Sequence, residues 1–349
     1  MKKKERVIAA LTGKLPDMVP FILNTVDKKV QERLLNHAVN EPTIDGTNVT
    51  GWVGRPDEAA TVTPSLSIVP EAASLLGLDA IQIQILPPIY AESAIDGNNL
   101  YVTRGLIDSA DALAQVRMPD PDDDALLRAV EDMIERYRGD FAIGARVRLC
   151  AAPAILSMGI DNLAIFYADE DDTLIKTVDM YAEWSRRLNA NLSELGFDFF
   201  WAFDDIAYAS GMLMSPAMFR ETLKSGMKKA ASTIKKPWIF HSDGDYSLIL
   251  DDIIDIGASG IHPIERASMD GAWLKTRYGD KLCLIGNIDI GTLTDGTEAD
   301  AENEVCDRIA LFGLGGRYIV SDSNSIPDGC KPENLLAMAR AIKKYRHVY

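Results

Sequence analysis

From residue 197 onward the chain alternates between two hydrophobic periods, and this alternation restricts the fold more than any other feature. FDFFWAF (197–203) is a continuous apolar run ended by Asp204 and Asp205. SPAMFRETLKSGMKKAASTIKK (215–236) reads as a helix, with Ser215 as N-cap, Pro216 at the first helical position and lysines at the end. The pattern repeats. Strand PWIFH (237–241) precedes helix DYSLILDDIIDIG, closed by Gly257, and strand ASGIHPI (258–264) precedes a helix near 270–278. Strand KLCLIGN (281–287) precedes a helix near 298–311, and strand GRYIVSD (316–322) precedes helix KPENLLAMARAIKKY (331–345). Continuous apolar strands separated by amphipathic helices indicate a parallel sheet covered by helices. MVPFIL (18–23), DAIQIQI (79–85) and DFAIGARV (140–147) bring the strand candidates to eight. The expected fold is α/β, a (β/α)8 TIM barrel formed by residues 1–349 as one domain. An open doubly wound sheet is the alternative, weakened because no GxGxxG follows the first strand.

The N-terminal half is less regular. Residues 24–78 hold a helix expected at 27–39 and a polar stretch, DGNNLYVTR (96–104) reads as a hairpin turning at its NN pair, and PDPDDD opens a helix with acids at its N-terminus. These insertions are expected as lids at the C-terminal face of the strands. The net charge of −16 argues against a nucleic-acid or anionic-membrane partner. MKKKERVIAAL lacks the long apolar core of a signal peptide, and no run reaches the ~18–20 apolar residues of a membrane span. A cytoplasmic location is expected. Cys150, Cys283, Cys306 and Cys330 are scattered without a CxxC pair, so free thiols are expected.

In a (β/α)8 barrel the working face is the C-terminal end of the strands. The residues there are Asn24, Asp204 and Asp205, His241 and Asp243, His262 and Glu265, Asn287 and Asp289, and Asp322, Ser323 and Asn324. Helix capping accounts for some of the acids, but histidine is a weak cap, which favours a site role for His241. His262 is as readily structural. Ligands from separate strands suit zinc, with no local spacing to identify them. No GxSxG elbow suggests a serine nucleophile, and few aromatics support a sugar platform for a carboxylate pair such as Asp205 and Glu265.

The stretches FDDIAYASGMLMSPAMFRE, WIFHSDGDYSLILDDIIDIGASGIHPIE, LIGNIDIGTLTDGT and SDSNSIPDGCKPENLLAM, with ERVIAALTGKLPDMVPF and SMGIDNLAIFYADEDDTL, resemble the uroporphyrinogen decarboxylase superfamily over nearly the whole chain. The resemblance implies the barrel and two kinds of activity. True decarboxylases carry an Arg-Gln-Ala-Gly-Arg stretch after the first strand; here VPFILNTVDKKVQ has no arginine before Arg33. The other branch comprises corrinoid-dependent methyltransferases, which move a methyl group between a small substrate and the cobalamin cobalt of a separate corrinoid protein. Many hold zinc through His-x-Cys and a later Cys. This chain keeps His241 but has Asp243 in place of the first cysteine, and Ser323 and Asn324 stand near the later one. HSDG is similar to the ether-cleaving O-demethylase components, which implies a zinc set of Asp205, Glu221 and His241, with Asp204 an alternative to Asp205. Asp243, Glu265 and Asp322 are then expected to orient substrate or protonate the leaving oxygen, and Asn24, His262, Asn287 and Asn324 to line the substrate. The expected partners are a small methyl donor and a corrinoid protein, with the oligomeric state open, homodimer included. A decarboxylase-type lyase and a non-catalytic binding barrel are the other readings.

Overall fold

The computed structural model describes residues 1–139 and 141–349. Its centre is an eight-stranded sheet: β1 (Ser65–Leu66), β2 (Ala80–Gln84), β3 (Ala142–Val147), β4 (Phe199–Phe203), β5 (Trp238–His241), β6 (Gly260–His262), β7 (Cys283–Ile288) and β8 (Tyr318–Asp322). The order follows the chain from β8 back to β1, with every neighbour parallel except β1, which runs antiparallel to β2. Seven of the eight strand candidates lie in this sheet; Asp140, first residue of the third, lies outside the described residues. Side chains on both faces of the long strands are buried, as a sheet clad in helices requires.

The sheet curls. Ala80, Ala142, Phe199, Ile239, Cys283 and Ile319, drawn from strands along its whole width, share one apolar cluster with Val7, Ala10 and Leu11 of helix Lys3–Leu11. That helix therefore plugs the end of the curl opposite the strand C-termini. Gly144 keeps the interior open to an aromatic, since a Cβ there would lie 2.4 Å from the Phe199 ring.

The eighth candidate, 18–23, is not a regular strand. Only a bridge from Phe21 to Val320 and a few hydrogen bonds fill the gap between β8 and β2: Ile22 N to Val320 O (3.1 Å), Val320 N to Pro20 O (3.0 Å) and Asp79 N to Phe21 O (2.7 Å). Pro20 has no N–H to offer a ladder. The gap is reinforced by a buried carboxylate instead. Asp79 accepts from Phe21 N at 2.8 Å and from Arg6 Nη1 at 2.5 Å, and also pairs with Arg346, joining the N-terminal helix, the 18–23 segment and the C-terminus.

Helix boundaries follow their caps. Ser215 Oγ accepts from Met218 N at 3.1 Å and Asp123 accepts from Ala125 N and Leu126 N. The helix expected over 215–236 is interrupted at Leu223, giving Pro216–Thr222 and Lys224–Ala231, and the one expected at 27–39 ends at Leu35 because Asn36 turns left-handed (φ 59). The hairpin is Ile89–Asp96 with Asn99–Gly105; its turn falls at Gly97–Asn98 rather than the NN pair, because Gly97 takes the positive φ of +61 at the first central position. No single helix among the described residues is long and apolar enough to cross a membrane.

Candidate metal centre and its buried surroundings

Strand alternation carries one face of each strand to the interior, so the last inward residues of neighbouring strands meet at the C-terminal end. His241 ends β5 beside His262 at the end of β6, and Asp205 and Asp243 continue the inward series of Phe203 and His241. One ligand atom from each of Asp205, His241 and Asp243 lies within 4.8 Å of the others. His241 Nε2 stands 3.6 Å from Asp205 Oδ1 and 3.4 Å from Asp243 Oδ1.

The hydrogen-bond chain behind His241 determines what Nε2 presents. His262 Nε2 lies 3.0 Å from the carbonyl oxygen of Asp322, which only accepts, so Nε2 carries the hydrogen. Burial first, then the neighbouring His241, pushes the His262 imidazolium far below its usual range, so the ring is neutral and its Nδ1 is an acceptor. His241 Nδ1, 2.7 Å away, must then donate, which leaves the lone pair of His241 Nε2 facing the two carboxylates. Three acceptor atoms converge, of which Asp205 Oδ1 already takes one hydrogen bond, from Asp243 N. The cup is completed by a divalent cation or by a further proton on Nε2.

The carboxylates are held in place. Asn324 Nδ2 donates to Asp243 Oδ2 at 2.9 Å, while Asp243 Oδ1 is buried without a hydrogen-bond donor. Asp243 N donates to Asp205 Oδ1 at 3.1 Å. Burial raises the Asp243 carboxyl, but His241, Asn324 and Arg146 outweigh it and hold the group below the usual range. Ser242 Oγ accepts from Ile206 N at 3.1 Å, tying the two ligand loops together. Glu265, half-buried at the rim, accepts from Gly244 N (3.2 Å) and Ser268 Oγ (3.1 Å), and burial followed by the charge of Asp243 raises its pKa.

The other expected site residues divide. Asp204 is enclosed, accepting from Leu149 N (2.6 Å) and Ala152 N (2.8 Å) at the start of helix Ala151–Met158, so Asp205 is the aspartate of the cup. Glu221 is not brought to the group: its helix carries it outward, where Oε2 accepts from Tyr167 Oη at 2.6 Å. Asp322 has its side chain buried, with Oδ1 accepting from Asn24 N (2.9 Å) and Ser321 Oγ (2.7 Å); burial raises its pKa to about 7. His262 is fully enclosed beneath His241 and out of a substrate's reach. Asn287 Nδ2 donates to Ile264 O at 2.7 Å, and Asn24 accepts from Arg146. The four cysteines are free and none joins the group; Cys283 lies in the floor cluster and Cys330 beside Leu293 O.

Two residues escaped the sequence reading, which looked for arginines only after the first strand. Arg146, on the inward face of β3, and Arg148, two residues on, are both buried near the cup. Their trace was two arginines at period two in the apolar stretch FAIGARVRL. The Arg146 guanidinium lies 3.5 Å from the centre of the Phe203 ring, and the His241 ring packs on the same phenyl at 4.5 Å. A cavity of about 410 Å³ opens beside Asp205, lined by Ile155, Leu156, Ala207, Tyr208 and Leu213.

The family described as uroporphyrinogen decarboxylase (URO-D) matches residues 95–345. Two curated proteins from Methanosarcina barkeri, one of them from strain Fusaro / DSM 804, both named methylcobamide:CoM methyltransferase MtaA, are 24% identical over 368 residues, covering 98% of this chain and 98% of theirs. A solved methyltransferase structure from Methanosarcina mazei superimposes with a TM-score of 0.73 at 22% identity, covering 99% of each chain, so the likeness extends to the fold of the whole chain.

Proposed function

This chain belongs to the uroporphyrinogen decarboxylase (URO-D) family, and within it we propose a corrinoid-dependent methyltransferase that takes the methyl group of a small oxygen-linked donor, an aryl methyl ether in the first instance. The full-length similarity to methyltransferases supports methyl transfer to or from a corrinoid carried by a separate protein. The curled sheet is then a TIM barrel whose first strand is reduced to the Phe21 bridge. The observation that carries the reading is the cup in which acceptor atoms of Asp205, His241 and Asp243 lie within 4.8 Å of one another.

One imidazole and two carboxylates fit zinc, leaving a position open to substrate. Bound there, zinc would draw electron density from the substrate oxygen as its bond to methyl breaks. Oxygen ligands in place of thiolates favour a hard ion and an oxygen substrate, whereas thiolates suit softer chemistry. The C–O bond would break with its electron pair kept on oxygen, and the pair for the new bond to methyl would come from the reduced corrinoid, cob(I)alamin, of the separate protein. The chain's own residues orient and protonate. Asn324 keeps one oxygen of Asp243 occupied so that the other faces the cup. Glu265, its pKa raised at the rim, would give the leaving oxygen a proton.

The test is metal analysis of the purified full chain, with methyl transfer from a methoxylated aromatic to cob(I)alamin followed by absorbance. One zinc per chain is expected, lost in His241→Ala with the circular dichroism unchanged. Wild-type protein that refuses zinc, or turnover indifferent to a chelator, would remove the metal from the proposal.

A further inference from the structure

Arg146 and Arg148 are 4% and 7% exposed, in a chain with 52 acidic and 36 basic residues, yet no described carboxylate lies within ion-pair distance of either guanidinium. Buried charges in proteins are normally paired. The acids that act on them through space are engaged elsewhere: Asp204 by two backbone amides, Asp205 and Asp243 at the His241 cup, Asp322 by Asn24 and Ser321. Arg146 donates through Nε to Gln84 Oε1 at 2.9 Å and through Nη1 to Asn24, which leaves Nη2 without an acceptor among the described residues. Arg148 donates through Nη1 to Thr50 O at 3.2 Å, and its buried Nε has none. Two like charges are thus held close together, desolvated, with donors left over.

We propose that Arg146 and Arg148 form an anion subsite that binds a carboxylate on the methyl donor, so that the substrate class is a small methoxylated carboxylic acid. A guanidinium presents a planar fork that matches a carboxylate in two parallel hydrogen bonds. Arg146 and His241 pack against one phenyl ring, that of Phe203, so guanidinium and imidazole are no farther apart than those two contacts laid end to end. A benzoate with a methoxy group on its ring is small enough to fall within that bound. The anion supplies the counter-charge missing from the protein, while the ether oxygen meets the cup. Naming the reacting group rests on the transferase reading; the anion subsite rests on the arginines alone.

The test measures binding of benzoate, 4-methoxybenzoate, methoxybenzene and inorganic phosphate to the full chain by calorimetry, with and without zinc. Both benzoates are expected to bind at least ten-fold more tightly than methoxybenzene. Arg148→Gln is expected to weaken benzoate at least ten-fold while zinc binding stays unchanged, and Arg148→Lys to restore only part of it. Equal binding of methoxybenzene and 4-methoxybenzoate by wild type, a comparison that needs no variant, overturns the subsite. So does phosphate binding in preference to benzoate, or a folded Arg148→Gln with wild-type benzoate affinity. If benzoates bind through the arginines but no methyl group reaches cob(I)alamin, the subsite stands and the transferase reading falls. If neutral ethers are demethylated as fast as the acids, the subsite falls and the transferase reading stands.

Discussion

His241 and His262 meet Nδ1 to Nδ1 at 2.7 Å, sharing one hydrogen, and the far side of His262 is anchored to the carbonyl of Asp322 at 3.0 Å. The relay gives His241 one tautomer and points its lone pair at Asp205 and Asp243.

His262→Ala should therefore weaken zinc binding although residue 262 touches no metal. Without an acceptor beside Nδ1, the His241 ring is free to turn or to change tautomer, and loss of such a supporting partner weakens metal affinity about 10–100-fold. Competition with a chromophoric chelator measures the effect. Wild-type affinity in a folded His262→Ala protein would mean that the relay does not orient the ligand.

Asp322 makes stability depend on pH. Its folded pKa of about 7 lies above the ordinary carboxyl value of about 3.9. Between those values the folded chain holds a proton that the unfolded chain has lost. The contribution is therefore complete below about pH 4 and is lost as pH rises through about 7, at about 1.4 kcal/mol per unit of pKa difference. Asp322→Asn keeps an acceptor for Asn24 N and Ser321 Oγ and removes the titration. Urea midpoints from pH 4.5 to 8 should show a flatter profile for the variant, with its relative advantage growing toward pH 8. Parallel profiles would show that residue 322 does not titrate in this window.

Gly244, in the HSDG loop, has a φ of +77, and a Cβ there would lie 2.2 Å from the backbone oxygen of Tyr208. Gly244→Ala should destabilise the fold by about 1–3 kcal/mol and displace Asp243. Denaturation midpoint and zinc affinity should fall together. Full zinc affinity in this variant would mean that the loop tolerates the side chain without moving its aspartate.

Asp79→Ala tests how the sheet is joined across its gap. The substitution takes from buried Arg346 the carboxylate it pairs with, leaves Arg6 to Asp17 alone and leaves Phe21 N without its acceptor. Breaking a buried pair in this way costs about 3–5 kcal/mol. A chemical denaturation curve shifted by less than 1 kcal/mol, taken as roughly the worth of a surface pair, would show that the junction depends on other contacts.

Continuous apolar strands set between capped helices follow from residue order and local chemistry. Continuous apolar runs and residues such as Ser215, Pro216, Asp123 and Gly257 act within a few positions of themselves, so seven strands and the C-terminal helices were legible. The candidacy of His241 and Asp205 was legible too, because a strand end in this architecture is a place in space. What no local pattern carries is direction and partnership between distant segments. Whether Asp204 or Asp205 faces the cup depends on the amides of Leu149 and Ala152, more than fifty residues earlier in the chain. Glu221 matched an expected order of ligands but turned outward with its helix. Beyond their spacing, Arg146 and Arg148 have no local feature that sets them apart, and become distinctive only where neighbouring strands enclose them without an ion-pair partner. Proton placement between His241 and His262, and the free charge of the two arginines, arise from contacts between strands, which exist only once the sheet has curled.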